Sequence, residues 1–137
     1  MLLTPLIAIH MTSALGAVVL GPVALWARRG RVQRPRLHRA FGYAWVTLMV
    51  ATAVSALFIR DFRLPNLAGY TFIHLFVPYV GYSLWVALRQ LVRGNIAGHR
   101  HTMQRLYLGA CVLAGGFTLL PSRFLGTLVW HQWLGLV

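Results

Sequence analysis

Six histidines are the residues whose type and spacing could do chemistry: His10, His38, His74, His99, His101 and His131. Neutral imidazole is a ligand for haem iron, zinc and copper. An ionisable side chain inside a membrane span is a functional hypothesis by default, because burying it is costly. His10 sits well inside a first uncharged stretch and His74 about one turn into a third, while His38 opens a second and His99 and His101 open a fourth. His99 and His101 lie two residues apart, about 200° around a helix, so only one can point inward. The apolar series Met103, Leu106, Ala110, Leu113 and Phe117 follows His99 at helical spacing and selects His99 for the inner face. His131, between Trp130 and Trp133, reads as interfacial.

These histidines are set in an apolar chain. Hydrophobic residues make up 58% of the 137 and charged residues 10%, against roughly 25% charged in a soluble domain. Thirteen arginines face a single acid, Asp61, for a formal charge of +12. This composition excludes a soluble enzyme, a disordered tail and an acidic module. It also excludes a soluble nucleic-acid binder, which could not solvate the uncharged stretches Leu2 to Ala27, Ala40 to Ile59, Leu64 to Leu88 and Leu106 to Ser122. A membrane helix needs about 20 apolar residues. The sequence therefore predicts transmembrane helices over about 2–27, 39–60, 70–92 and 97–120. The first is expected to be a span and not a cleavable signal peptide, since it lacks a charged leading region and ends in an arginine cluster. One cysteine, Cys111, allows neither an internal disulfide nor a cysteine-based metal centre, and it reads as a buried apolar residue.

The connections are short: the basic run Arg28 to Arg36, the turn segment Arg60 to Gly69 with Pro65-Asn66, and Arg93-Gly94-Asn95-Ile96. Short connections make neighbours antiparallel. The expected fold is all-α, one domain over 1–137: an up-down-up-down four-helix membrane bundle with tail 121–137 as an outer interfacial segment or a continuation of the fourth helix. Ten arginines flank the turns after the first and third helices, and three (Arg60, Arg63, Arg123) lie on the other side. The positive-inside rule then puts the basic side in the cytoplasm of a bacterial inner membrane and both termini outside.

In that topology helix 1 is diagonal to helix 3, and helix 2 to helix 4. His10 would face His74 near the outer leaflet, and His38 would face His99 near the inner one. Two diagonal histidine pairs about 20 Å apart are the arrangement that holds two b-type haems with bis-histidine ligation. Arg36, Arg39, Arg100 and Arg105 flank the inner pair and could hold propionates, although topology and lipid phosphate account for arginines there equally well. Gly16, Gly42, Gly81, Gly109, Gly115 and Gly116 could admit a haem face or simply a neighbouring helix. Trp26, Trp45, Trp85, Tyr43, Tyr70, Tyr79 and Tyr82 read as belt and core residues. His101, Gln104 and Tyr107 could hydrogen-bond a quinone, and Arg60, Arg63 and Arg123 could steer in a small anion such as superoxide. Any single histidine could instead be an interhelical hydrogen-bonding residue. A zinc or copper cluster of His38, His99 and His101 is the weaker metal alternative, because zinc wants four ligands.

Ile9-His10 with Ala14-Leu15 and Leu20-Gly21-Pro22, then Pro35-Arg36-Leu37-His38-Arg39 with Gly42-Tyr43, resemble a bacterial family of predicted inner-membrane proteins, the domain of unknown function 2306. Ile73-His74-Leu75, Arg93-Gly94-Asn95-Ile96 with His99-Arg100 and Met103, and Gly115-Phe117-Leu120-Pro121 extend the resemblance over nearly the whole chain. It implies the four-span architecture and no particular activity. The histidine layout is also similar to di-haem cytochrome b561-type bundles, including superoxide oxidases and quinone-linked cytochromes. That similarity implies haem b, a quinone and transmembrane electron transfer. The competing expectation is a small accessory subunit, packed against a larger membrane complex or a second copy of itself, with no redox chemistry of its own.

Overall fold

The computed structural model describes residues 3–62 and 65–136. Helix α1 runs Pro5–Trp26 and α2 runs Pro35–Phe58. A 3-10 turn, Phe72–Leu75, leads into α3, Phe76–Val92. The next helical run begins as α4, Ile96–Leu106, widens into a π segment, Tyr107–Leu113, and ends as α5, Ala114–Thr118. After a turn comes α6, Phe124–Thr127, followed by a second π segment, Leu128–Trp133. Apart from an isolated bridge between Leu67 and Tyr70, the described residues form helices, turns and loops.

The starts are set locally. Pro5 and Pro35 stand in the first turns of α1 and α2, where a missing N–H costs nothing. Thr4 caps α1 by accepting from Ile7 N–H at 3.3 Å, and Asn95 caps α4 by accepting from Gly98 N–H at 2.9 Å. Three helices are long and apolar enough to cross a membrane: Pro5–Trp26, Pro35–Phe58 and the run Phe72–Val92. Many of their outward side chains are large and apolar, including Val18, Val19, Val50, Val54, Leu57, Leu88 and Leu91, as suits lipid contact. The fourth expected helix is a continuous helical run from Ile96 to Thr118, but it changes type twice.

Helix α1 packs along α2, α2 against α3, α3 against α4, and α1 also against the π segment. Ala17, Trp45, Met49, Val80, Leu84, Leu106 and Cys111 form the core they enclose. Two contacts tie connections together at opposite ends. Arg100 donates to the Arg28 carbonyl at 3.2 Å, joining the start of α4 to the turn after α1. Arg123 pairs with Asp61 at 2.8 Å, joining the start of α6 to the loop after α2.

The π segment is anchored by two tyrosines. Pro22, inside α1, has no N–H to offer the Val18 carbonyl, and the Tyr107 hydroxyl donates to that carbonyl at 2.9 Å. The Tyr107 ring reaches it across Gly21, where a Cβ would come within 2.5 Å of Tyr107 Cδ2 and 3.0 Å of Trp45 Nε1. Tyr79 donates to the Arg105 carbonyl at 3.2 Å, just before the change of helix type. A switch to wider pairing leaves main-chain acceptors without their usual helical donors, and this hydroxyl supplies one.

The tail does not continue the fourth helix. It turns at residues 119–123 and folds back, with Trp130 Nε1 donating to the Leu119 carbonyl at 2.7 Å and Thr127 to the Pro121 carbonyl at 3.0 Å. Gly126 permits this return, because a Cβ there would collide with the main chain at Leu120.

Candidate functional site

Four of the six histidines lie on helical segments that bring an imidazole to a main-chain carbonyl of another element. On α1, His10 Nδ1 donates to the Thr52 carbonyl of α2 at 3.1 Å, with the Ser55 hydroxyl 3.0 Å away. On α2, His38 Nδ1 donates back to the Ala24 carbonyl of α1 at 2.8 Å. On α4, His99 Nδ1 donates to the Ala87 carbonyl of α3 at 2.9 Å. A carbonyl oxygen has no proton to give, so Nδ1 carries the hydrogen in all three. A neutral imidazole in this tautomer keeps its lone pair on Nε2. That nitrogen makes no hydrogen bond within the described residues for His10, His38 or His99.

His74 is arranged differently. Its Nδ1 accepts from Thr71 N–H at 3.1 Å, in a reciprocal capping box at the start of the 3-10 turn. Its Nε2–H donates to the Ile59 carbonyl, just past the end of α2, at 2.8 Å. Both nitrogens are used, and Tyr70 packs edge-on against the ring at 5.1 Å. One member of the expected outer pair therefore serves as a helix cap. The sequence signal for this was Thr71-Phe72-Ile73-His74, a capping-box spacing with histidine in place of the usual glutamate or glutamine.

The inner histidines divide as the periodicity predicts. His99 is buried at 9% exposure, while His101 is exposed. Among the described residues no three of His, Cys, Asp and Glu gather to hold a metal, so the expected alternative of a His38, His99 and His101 cluster has no geometry behind it. Gly42, one turn after His38 on the same face, is half-buried, yet a Cβ there would meet nothing within 4 Å. The space beside Gly42 is open.

Seven residues beyond His10, His38 and His99 come Ala17, Trp45 and Leu106, all in the core cluster. Dry side chains therefore fill the level about 10 Å along the helix from each of these histidines. Trp45 Nε1–H is buried without a hydrogen-bond partner among the described residues. Cys111 is buried, as expected, with its sulfur 3.9 Å from Met49 Sδ.

The arginines are less committed. Arg36, Arg39, Arg100 and Arg105 are all exposed, and of these only the Arg100 side chain makes a hydrogen bond within the described residues, to Arg28. On the other side Arg123 is paired with Asp61, while Arg60 donates to the Ala68 carbonyl at 2.7 Å and lies over the Tyr70 ring at 4.7 Å. Those two cations are held by the chain, and Arg63 lies outside the described residues. Of the expected quinone contacts, Tyr107 has given its hydroxyl to Val18, while His101 and Gln104 are exposed.

Apolar outward faces, a small dry core and histidines strapped to neighbouring helices define an all-helical membrane protein. The chain belongs to the family described as predicted membrane protein (DUF2306), whose model matches residues 7–137. No curated protein and no solved structure matches it.

Proposed function

We propose that this protein is a b-type haem electron carrier of the bacterial inner membrane, with His38 and His99 holding haem b near the cytoplasmic surface. The observation that carries the reading is the shared Nδ1–H···O=C bond of these two residues, which leaves each Nε2 lone pair available. Metal-ligating histidines are usually oriented by such a bond from the other ring nitrogen. The donor set fits haem iron: two neutral imidazoles, no competing carboxylate or thiolate, open space at Gly42, and exposed Arg36, Arg39 and Arg100 at the same end to meet propionates. Haem b would supply one-electron chemistry. The chain's own residues orient the imidazoles, exclude water through the Trp45, Met49 and Leu106 core, and hold the helices at fixed spacing.

A second haem between His10 and His74 fits less well. His10 presents a free Nε2, but His74 has none while it caps α3 and bonds Ile59. The reading takes the run Ile96–Thr118 as the fourth span of an up-down-up-down bundle, with the arginine-rich end in the cytoplasm. A quinone or a partner protein at that end would exchange electrons with the inner site, meeting exposed His101 and Gln104.

The second reading is a small accessory subunit whose histidines are interhelical struts. The doubly bonded His74 favours it, being a histidine spent wholly on structure.

Protein purified from haem-replete cells decides between them. The carrier should show a Soret band and the reduced α-band of low-spin haem b at one haem per chain. The band should be lost in His38→Ala and His99→Ala and kept in His101→Ala. A colourless preparation, or one whose haem survives both inner substitutions, removes the carrier and leaves the strut.

A further inference from the structure

The inner end of α3 carries a groove of about 300 Å³ lined by Trp85, Val86, Arg89, Gln90, Arg93 and Asn95. The side-chain polar groups left free in it are donors. Arg89 lies over the Trp85 ring at 5.0 Å, and neither its guanidinium nor that of Arg93 donates to an acceptor among the described residues. The two amides have their oxygens engaged elsewhere: Gln90 Oε1 accepts from the Thr102 hydroxyl at 2.8 Å, and Asn95 Oδ1 accepts from Gly98 N–H at 2.9 Å. Their NH₂ groups are left as donors, and both crowd over Gly98, where a Cβ would lie 2.9 Å from Gln90 Nε2 and still nearer Asn95 Nδ2. The chain's one acid, Asp61, is bound to Arg123 through the loop after α2 and cannot serve as counter-ion here.

We infer that this groove binds the phosphate of an anionic phospholipid. Two guanidiniums and two amide NH₂ groups without an internal acceptor call for an anion, and guanidinium matches phosphate oxygens with paired hydrogen bonds. The surrounding surface selects a lipid over a free anion: Tyr82, one turn before Val86 on the same face of α3, and Trp85 are both exposed, and tyrosine and tryptophan favour the headgroup level. Basic pockets between membrane helices are where anionic headgroups dock. The inference does not depend on haem.

The test is native mass spectrometry of the full chain in neutral detergent, with phosphatidylglycerol titrated against phosphatidylcholine and against glycerol 3-phosphate. One phosphatidylglycerol should be retained per chain in preference to both. The double variant Arg89→Gln/Arg93→Gln should weaken retention about tenfold or more. Removing the same charge from the other basic turn, as Arg29→Gln/Arg31→Gln, should change it by less than about twofold. Gln90→Glu keeps the acceptor for Thr102 but brings a carboxylate to the groove, and should also weaken retention with both arginines in place. Equal retention of phosphatidylcholine, equal weakening by the two double variants, displacement by glycerol 3-phosphate, or an unaffected Gln90→Glu chain would each overturn the inference.

Discussion

The contact between Gly21 and Tyr107 makes the most demanding prediction about how the helices are held. In an open helical position, Gly→Ala is favourable by up to about 1 kcal/mol. At Gly21 the sign should reverse. The new methyl would fall on the Tyr107 ring and within 3.0 Å of Trp45 Nε1, and a Tyr107 ring pushed aside can no longer donate to Val18. Pro22 has no N–H, so helix α1 cannot supply a replacement donor. Overpacking costs roughly 1–3 kcal/mol, and an interhelical hydrogen bond in a membrane is worth about 0.6–1.7 kcal/mol. Set against the propensity gain, Gly21→Ala should destabilise by about 2 kcal/mol. Tyr107→Phe, which loses only the hydroxyl, should cost about 1 kcal/mol. The assay is SDS-induced unfolding in mixed micelles followed by circular dichroism, with Gly81→Ala as control, because a Cβ there meets nothing within 4 Å. The double variant Gly21→Ala/Tyr107→Ala is decisive. Once the ring is gone only Trp45 Nε1, at 3.0 Å, still borders the methyl, and it can shift into the vacated space, so the double variant should be no less stable than Tyr107→Ala alone. Costs that add to within about 0.5 kcal/mol, as for independent sites, or a neutral Gly21→Ala, would refute the reasoning.

Two further perturbations test other parts of the structure. His74→Ala should lower stability by about 1–2 kcal/mol through loss of the cap, while His74→Gln should recover most of it, because glutamine serves the same place in a capping box; unfolding curves that fail to separate the two would contradict the capping role. Asp61→Asn should cost about 1 kcal/mol, since the pair with Arg123 is only partly buried, and combining it with Arg123→Gln should add little; additive losses in a double-mutant cycle would show that the ion pair does not hold the tail's start to the loop.

Much of the fold was legible because lipid simplifies the code. An uncharged stretch of sufficient length reads as a span without any periodicity. The second helix begins at Pro35, four residues before the expected 39, because proline is well suited to a first turn and the arginines there remain at the surface. The apolar series behind His99 gave its facing correctly, since a helix carries its register from one turn to the next. What could not be read was set from a distance. The change of helix type at Tyr107 has no proline to announce it. It coincides with two hydroxyl contacts between helices, Tyr79 on Arg105 and Tyr107 on Val18, across separations in sequence that no local pattern encodes. The return of the tail likewise rests on Gly126 meeting Leu120, which becomes visible only once the chain has turned.

The histidines show where sequence reasoning reaches its end. Depth and diagonal gave all four a claim to a ligand's role, strongest for the deeper His10 and His74, because spacing cannot say which ring nitrogen is engaged. The hydrogen bonds can. A strap through Nδ1 fastens two helices and at the same time aims a lone pair, so structural and ligand roles are compatible at His10, His38 and His99. At His74 the proton sits on Nε2 and the lone pair is already given to Thr71. Ligation there would require the imidazole to release Ile59 or Thr71, leaving a main-chain group at the end of α2 or the start of α3 without its partner. That cost has no counterpart at the inner pair, and so the inner layer is the one on which redox chemistry is proposed.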